Sequence, residues 1–165
     1  MHPSQEILRQ FFTIDPTIPE GIRWKVSRSR RKAGEPAGIL NGKGYYHLGL
    51  NGKYFSNHTI IWIFHKGEIP EGYVVDHKNR IKTDNFIDNY RLATKSQNNC
   101  NRTRAVHNKS GVKGVCWDEE KAKWKAQIYL NRKPIYLGHF AELEDARAAV
   151  QAGRTEHHGE FAHEG

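Results

Sequence analysis

The stretch "VVDHKNRIKTDNFIDNYRLATKSQNN", residues 74 to 99, constrains this chain more than any other. Two β-branched valines run straight into Asp76-His77, a strand-like ending. A polar loop rich in asparagine and aspartate follows, and asparagine returns at Asn89 and Asn98. Thr94 can cap a helix beginning at "KSQNN". His77 to Asn89 is twelve positions and His77 to Asn98 is twenty-one. A strand ending at His77, a second strand after Asn89 and a helix from near Thr94 would bring Asp76, His77, Asn89 and Asn98 together. Asp76 and His77 are neighbours, so in extended chain they point to opposite sides.

Those residue types suit phosphodiester hydrolysis, which requires an activated water, stabilised charge and positioning. A histidine with a pKa near neutrality can deprotonate water. An asparagine carbonyl can fix its tautomer without adding charge. A hard cation such as magnesium takes oxygen ligands, which an aspartate and an asparagine amide supply. The plainer alternative is a structural turn closed by Asp-His, with the asparagines as ordinary loop residues.

Around this stretch, "QEILRQFF" reads as a short helix and "IDPTIPEG" as two proline turns. A strand around Arg23–Val26 breaks into a basic loop carrying Arg28, Arg30, Arg31 and Lys32. Such a cluster is either a solvated loop or an arm contacting phosphates. "GYYHLGLNGKYFS" predicts a hairpin turning at Asn51-Gly52. "NHTIIWIFHKG" predicts a buried helix capped by Asn57 and ended by Gly67, with His58 packing in it.

From Arg102 the texture changes. "RTRAVHNKSGVKG" holds Arg102, Arg104, Lys109 and Lys113 and no acid, as a basic linker along a nucleic-acid backbone would. "VKGVCW", "KWKAQIYL" and "PIYLGHF" predict three strands joined by hairpin-length turns. The segment "ELEDARAAVQAGRTEHH" then predicts a helix with Leu143, Ala146, Ala149, Val150 and Gly153 on one face. The fold class expected is α+β.

Twenty-six Lys and Arg against eighteen Asp and Glu give a net charge of +8 in 165 residues. That surplus favours a polyanionic partner, nucleic acid before membrane. Cys100 and Cys116 are too few and too far apart for a zinc knuckle or disulfide framework, so no zinc is expected and a reducing compartment is. No apolar run reaches membrane-spanning length and the start lacks a signal-peptide core, which implies a cytoplasmic protein with no membrane partner.

The segment also resembles a known family, the HNH or ββα-metal endonucleases, and in particular the small phage-type homing endonucleases. The residues that carry the likeness are Val74-Val75, Asp76-His77, Asp84-Asn85, Asn89-Tyr90-Arg91-Leu92, Thr94 and Gln97-Asn98. "NHTIIWIFHKGEIPEG" and "GYYHLGLNGK" match its upstream helix, turn and hairpin. The turn "KNR" and Tyr90 depart from the usual Asp-Gly-Asn and Leu. The resemblance implies that His77 is the general base, oriented by Asn89. It implies that Asp76 and Asn98 bind one divalent metal, magnesium or manganese, in the HNN variant of the motif. Arg91 reads as a phosphate contact or, alternatively, as half of a structural ion pair.

Residues 108 to 163 resemble the ethylene-response-factor type of DNA-binding domain, on "NKSGVKGVCW", "KWKAQI", "IYLGHF" and "HHGEFA". In that family the three-stranded sheet lies in the major groove. The matching contact residues here are Lys113, Trp117, Lys123, Lys125 and Tyr136, with Trp124 under the helix; Cys116 and Pro134 stand where the plant domains carry arginine. Three segments are thus expected: a hairpin region and nuclease core over 1–101, a basic linker over 102–110 and the DNA-binding module over 111–165. The function implied is a phage-encoded, metal-dependent endonuclease on double-stranded DNA, monomer or homodimer. A non-catalytic DNA-binding regulator on the same scaffold is the alternative, and a ribonuclease is a weaker one because A-form grooves exclude a sheet.

Overall fold

The computed structural model describes residues 2–100, 108–131 and 133–161. They divide into two compact units, Met1–Ala93 and Thr94–Gly165. Arg102 and Arg104 lie outside the described residues.

In the first unit, α1 (Gln5–Phe11) leads into β1 (Phe12–Ile14), which pairs antiparallel with β2 (Ile22–Trp24). Then β3 (Ile39–Leu40), β4 (Tyr46–Leu50) and β5 (Lys53–Ser56) form an antiparallel sheet with β4 in the middle. The β4–β5 hairpin turns at Asn51 and Gly52 with φ of 51° and 76°, the positive values expected of that dipeptide. Next come α2 (Asn57–Lys66), β6 (Tyr73–His77), a single 3-10 turn (Ile87–Asn89) and β7 (Tyr90–Thr94), which pairs with β6.

One core gathers these pieces: Leu8, Phe12, Ile22, Trp24, Leu48, Leu50, Ile60, Ile61, Ile63, Val75 and Tyr90. Ile60 and Ile61 are enclosed almost completely, and burying an isoleucine side chain contributes about 1.5–3 kcal/mol. Val75 joins this core while Asp76 and His77 follow it, so the buried strand sets the depth at which the polar pair sits.

The helix α2 corrects one expectation. Ser56, not Asn57, is its N-cap residue, and its side chain makes no cap bond. Asn57 is fully buried and its amide donates to the carbonyls of Glu20 (2.8 Å) and Ala37 (2.7 Å). Two loop carbonyls, one buried and one half-buried, need donors, and an asparagine at the first helical position supplies both. Gly38, at φ 144°, makes room: a Cβ there would lie 2.6 Å from the Asn57 amide nitrogen.

The second unit holds α3 (Lys95–Cys100), β8 (Val115–Asp118), β9 (Lys123–Leu130), β10 (Lys133–Phe140) and α4 (Leu143–His158), closed by a 3-10 turn (Gly159–Phe161). Thr94 opens α3 with a capping box: its hydroxyl accepts from the Gln97 N–H and the Gln97 side chain accepts from the Thr94 N–H. The strands form an antiparallel sheet with β9 in the centre. α4 lies on one face of it, where Ala146 and Val150 meet Val115, Ala126 and Ile128, flanked by Trp124, Leu137 and Phe140. The two units together make the expected α+β fold.

Between Tyr136 and Gly138 the β10–β9 register shifts, a bulge that inserts Leu137. Gly138 sits there at φ 135°, a conformation side chains rarely adopt.

Candidate active site

His77 ends β6 with only 4% of its surface exposed. Its ring lies against three aromatic neighbours: Tyr90 at 5.1 Å and nearly perpendicular, His58 at 5.0 Å, and Tyr45 at 6.0 Å between centroids. Burial pushes the imidazole below its ordinary pKa, opposed by the Asp76 charge and a hydrogen bond with Asn85. The ring is therefore neutral at neutral pH, the form a general base requires.

Asn85 is the polar anchor of this box. It is buried, donates to the Pro19 carbonyl at 2.6 Å and accepts the Tyr90 hydroxyl at 2.8 Å. Burial also pushes the Tyr90 phenol well above its ordinary range, so it stays protonated and donates. Sequence reasoning placed Asn85 in the motif but gave it no role; the Asp84-Asn85 pair was the available signal.

Asn89 does something other than orient the imidazole. Its amide donates to Asn79 Oδ1 (2.9 Å) and the Asp84 carbonyl (3.0 Å), and its side-chain oxygen accepts the Asn79 N–H (3.1 Å). The Asn89 carbonyl accepts the Lys78 N–H at 2.8 Å, and Asn79 also donates to Asp84 at 2.6 Å. Asn89 thus closes the loop from Lys78 onto itself. Asn85, four residues earlier, is the amide beside His77. Asn89, the residue expected to orient His77, makes its side-chain hydrogen bonds within this loop.

Asp76 is buried at 7% exposure and its Oδ2 accepts from Arg91 Nε at 3.0 Å. That pairing is the structural ion pair that stood beside phosphate contact as a reading of Arg91. Its side chain is 11% exposed and turned onto the Asp76 carboxylate of the neighbouring strand. Breaking a buried ion pair leaves an uncompensated charge, which costs about 3–5 kcal/mol. Asn98 is half-buried in α3, in the second unit. His58 packs as expected, and it packs on His77 itself. Its Nδ1 has no hydrogen-bond partner among the described residues, and burial lowers its pKa to about 3.

The basic arm is partly tied down. Arg28 and Arg31 exchange two backbone hydrogen bonds of 2.9 Å. The Arg28 guanidinium stacks 4.5 Å from the Phe11 ring and donates to Asn51, while Arg31 stacks 5.4 Å from the Trp24 ring. Arg30 and Lys32 remain exposed. In the second unit Lys109 and Lys123 are exposed, and Lys113 and Lys125 are half-buried. Trp117 is opposite Trp124 in the register and stacks edge-on to it at 5.0 Å, so it shares the helix-facing side. Its indole N–H donates to Glu119. Tyr136 stands on the outer face, 57% exposed.

Among the described residues no three His, Cys, Asp or Glu side chains gather as a metal cage. The donors that the strand end and α3 carry, a carboxylate and an amide, are oxygen ligands suited to magnesium or manganese rather than zinc. No helix among the described residues is long and apolar enough to cross a membrane.

Comparison with known proteins bears on the same segment. Residues 56–100, from the start of α2 to the end of α3, match the family model described as "HNH endonuclease". Protein 3.8 of Escherichia phage T7 is 31% identical over 105 residues, 64% of this chain and 86% of that protein. A solved structure described as "DNA binding and cleavage by the HNH homing endonuclease I-HmuI" aligns with a TM-score of 0.42 at 25% identity, over 58% of this chain and 53% of that one. The chain spans about half the length of that second protein. The chain belongs to the family of phage T7 Protein 3.8, and its residues 56–100 match the HNH endonuclease model.

Proposed function

We propose that the protein is a metal-dependent DNA endonuclease of the homing type, cleaving phosphodiester bonds with His77 as general base. The observation that carries this is a neutral imidazole, held by Asn85 and walled by Tyr90, directly following a carboxylate at the end of a buried strand within the HNH segment. His77 takes the proton of the attacking water. Asn85, itself fixed by Pro19 and Tyr90, keeps the ring from rotating. Asp76 and Asn98 would hold one divalent cation, magnesium or manganese. When bound, that cation stabilises charge on the scissile phosphate and the leaving oxygen. The products are a 5′-phosphate and a 3′-hydroxyl. Asn89 acts one step back, by holding the loop between β6 and β7.

Double-stranded DNA is engaged by Arg30 and Lys32 of the basic loop and by the outer face of the β8–β10 sheet, including Lys123, Lys125 and Tyr136. Under this reading the nuclease core covers residues 1–101, a basic linker 102–110, and an ethylene-response-factor-type module 111–165. The protein acts on DNA in the cytoplasm of a bacterial host. A second reading, a DNA-binding regulator on an HNH scaffold, is favoured by one observation: His77 is enclosed and Asp76 is already paired with Arg91.

Supercoiled plasmid separates the two. Nicking that requires magnesium, and that His77→Ala abolishes while DNA binding persists, is the expected result. Equal nicking by the variant removes His77 from its role. Binding without nicking on any substrate, including phage and host genomic DNA, supports the regulator.

A further inference from the structure

A chain of hydrogen bonds crosses the outer face of the β8–β10 sheet, away from α4. His139 Nε2 lies 2.8 Å from Asp118 Oδ2, and His139 Nδ1 lies 2.5 Å from the Tyr136 hydroxyl. Asp118 belongs to β8 and the other two to β10, so the chain spans the central strand β9. There His139 is opposite Lys125, and Asp118 is opposite Lys123. The His139 and Asp118 side chains are 12% and 22% exposed, while Tyr136 is 57% exposed. The chain thus runs from a sheltered carboxylate to a phenol in solvent.

The bulge makes this arrangement. Residues three apart in a regular strand point to opposite faces. The extra Leu137, with Gly138 at φ 135°, returns His139 to the face of Tyr136. Without it His139 would point toward α4.

For the neutral ring, hydrogen-bond valence then fixes a direction. A carboxylate only accepts, so Nε2 carries the hydrogen. A neutral imidazole with hydrogen on Nε2 has its lone pair at Nδ1, and the Tyr136 O–H must donate there. The phenol's single hydrogen is consumed. What it offers a partner is an oxygen lone pair, an acceptor and nothing else. The hydrogen bond from His139 also holds the Asp118 carboxyl below the usual carboxylate range, keeping it the accepting end.

The setting of this face suits DNA. Lys123 and Lys125 lie on it with Gln127 and Tyr129, whereas Glu144, Asp145 and Glu156 belong to α4 on the opposite side. In the major groove, adenine N6 and cytosine N4 are donors, while thymine O4 and guanine O6 are acceptors. We infer that Asp118 and His139 set Tyr136 as a fixed acceptor that selects adenine or cytosine over guanine or thymine at one position of the recognised duplex. This rests on the reading of the sheet as a DNA-binding face. Asp118 and His139 are positioning residues, and only Tyr136 meets the base. A single neutral hydrogen bond of this kind gives a preference of about tenfold.

Two measurements on the full-length chain test it. Imidazole 15N shifts at a pH of about 8, above the ordinary histidine range, should show hydrogen on Nε2 of His139 in the wild type. Hydrogen on Nδ1 would overturn the inference before any DNA is added. In magnesium-free buffer, binding sites are then selected from a randomised duplex library by the wild type, Tyr136→Phe and Asp118→Asn. The expected wild-type motif has one position restricted to adenine or cytosine on one strand. Tyr136→Phe loses that restriction alone, and Asp118→Asn relaxes or inverts it. Variants that bind more weakly yet keep the same restriction would show a merely structural role and refute the inference. A wild type that binds no DNA refutes the DNA-binding reading itself, and a selected motif lacking such a position refutes only the acceptor assignment.

Discussion

His58 makes the stability of the first unit depend on pH. Its ring is sandwiched between Tyr45, His77 and Tyr90, and burial, with a smaller contribution from His77, lowers its pKa from 6.5 to about 3. In the unfolded chain the imidazole takes up its proton near pH 6.5; in the folded chain it resists until about pH 3. The unfolded state therefore binds more protons between those values, so stability is complete above the upper one and is lost as pH falls toward the lower. At about 1.4 kcal/mol per unit, going from pH 6.5 to pH 5 removes about 2 kcal/mol through this one residue. The lowered carboxyls of Asp15 and Asp118 act only below the model carboxylate value of 3.8 and are silent in that window. His58→Phe keeps an aromatic ring and removes the titration. Urea unfolding at pH 7 and at about pH 5, followed through the NMR signals of the buried Ile60 and Ile61, reads the first unit alone. The wild type should lose about 2 kcal/mol more than the variant over that interval. Equal losses in both proteins would show that His58 is not held neutral by burial, and the reasoning would fail.

Asn85→Leu should lower the nicking rate roughly tenfold or more with little change in DNA affinity, because it frees the His77 ring without touching a phosphate contact; a loss confined to affinity would place Asn85 elsewhere. Asn57→Ala should destabilise the first unit by about 2–3 kcal/mol, since it strands the buried carbonyl of Ala37 and the half-buried one of Glu20. Denaturant titration checks this, and a change under about 0.5 kcal/mol, ordinary for a surface site, would mean that water replaces the amide.

Much of the architecture is legible in the chain because local chemistry and tertiary packing agree. Asn51-Gly52 turns where it should, and Thr94 with Gln97 closes a capping box that the spacing of three announces. Strands β8 and β9 follow their alternation, and Trp124 packs beneath α4. What stayed hidden concerns where individual polar side chains turn. Asn57 has the chemistry of a cap and of a buried bridge alike, and only the arrival of Glu20 and Ala37 decides between them. Asn85 and Asn89 are both amides flanking one 3-10 turn, yet one faces the imidazole and the other the loop. Arg28 and Arg31 read as free cations because their aromatic supports, Phe11 and Trp24, lie outside the local window. The Tyr136 bulge leaves no mark beyond a glycine in a strand.

The loop after β6 has a consequence for how the HNH segment tolerates change. Asn79 donates to Asp84, accepts from Asn89 and caps the Ile81 N–H at 2.8 Å, so its amide is the knot where several threads of the loop meet. Because the knot is tied near the base, residues 80–83 form a tip beyond it, with Ile81 and Lys82 exposed. Length added at that tip would hang outside the knot and leave the gap between the two strands as it is. A single change at Asn79 would convert a rigid spacer into a tether, and the histidine at the strand end would lose its fixed address.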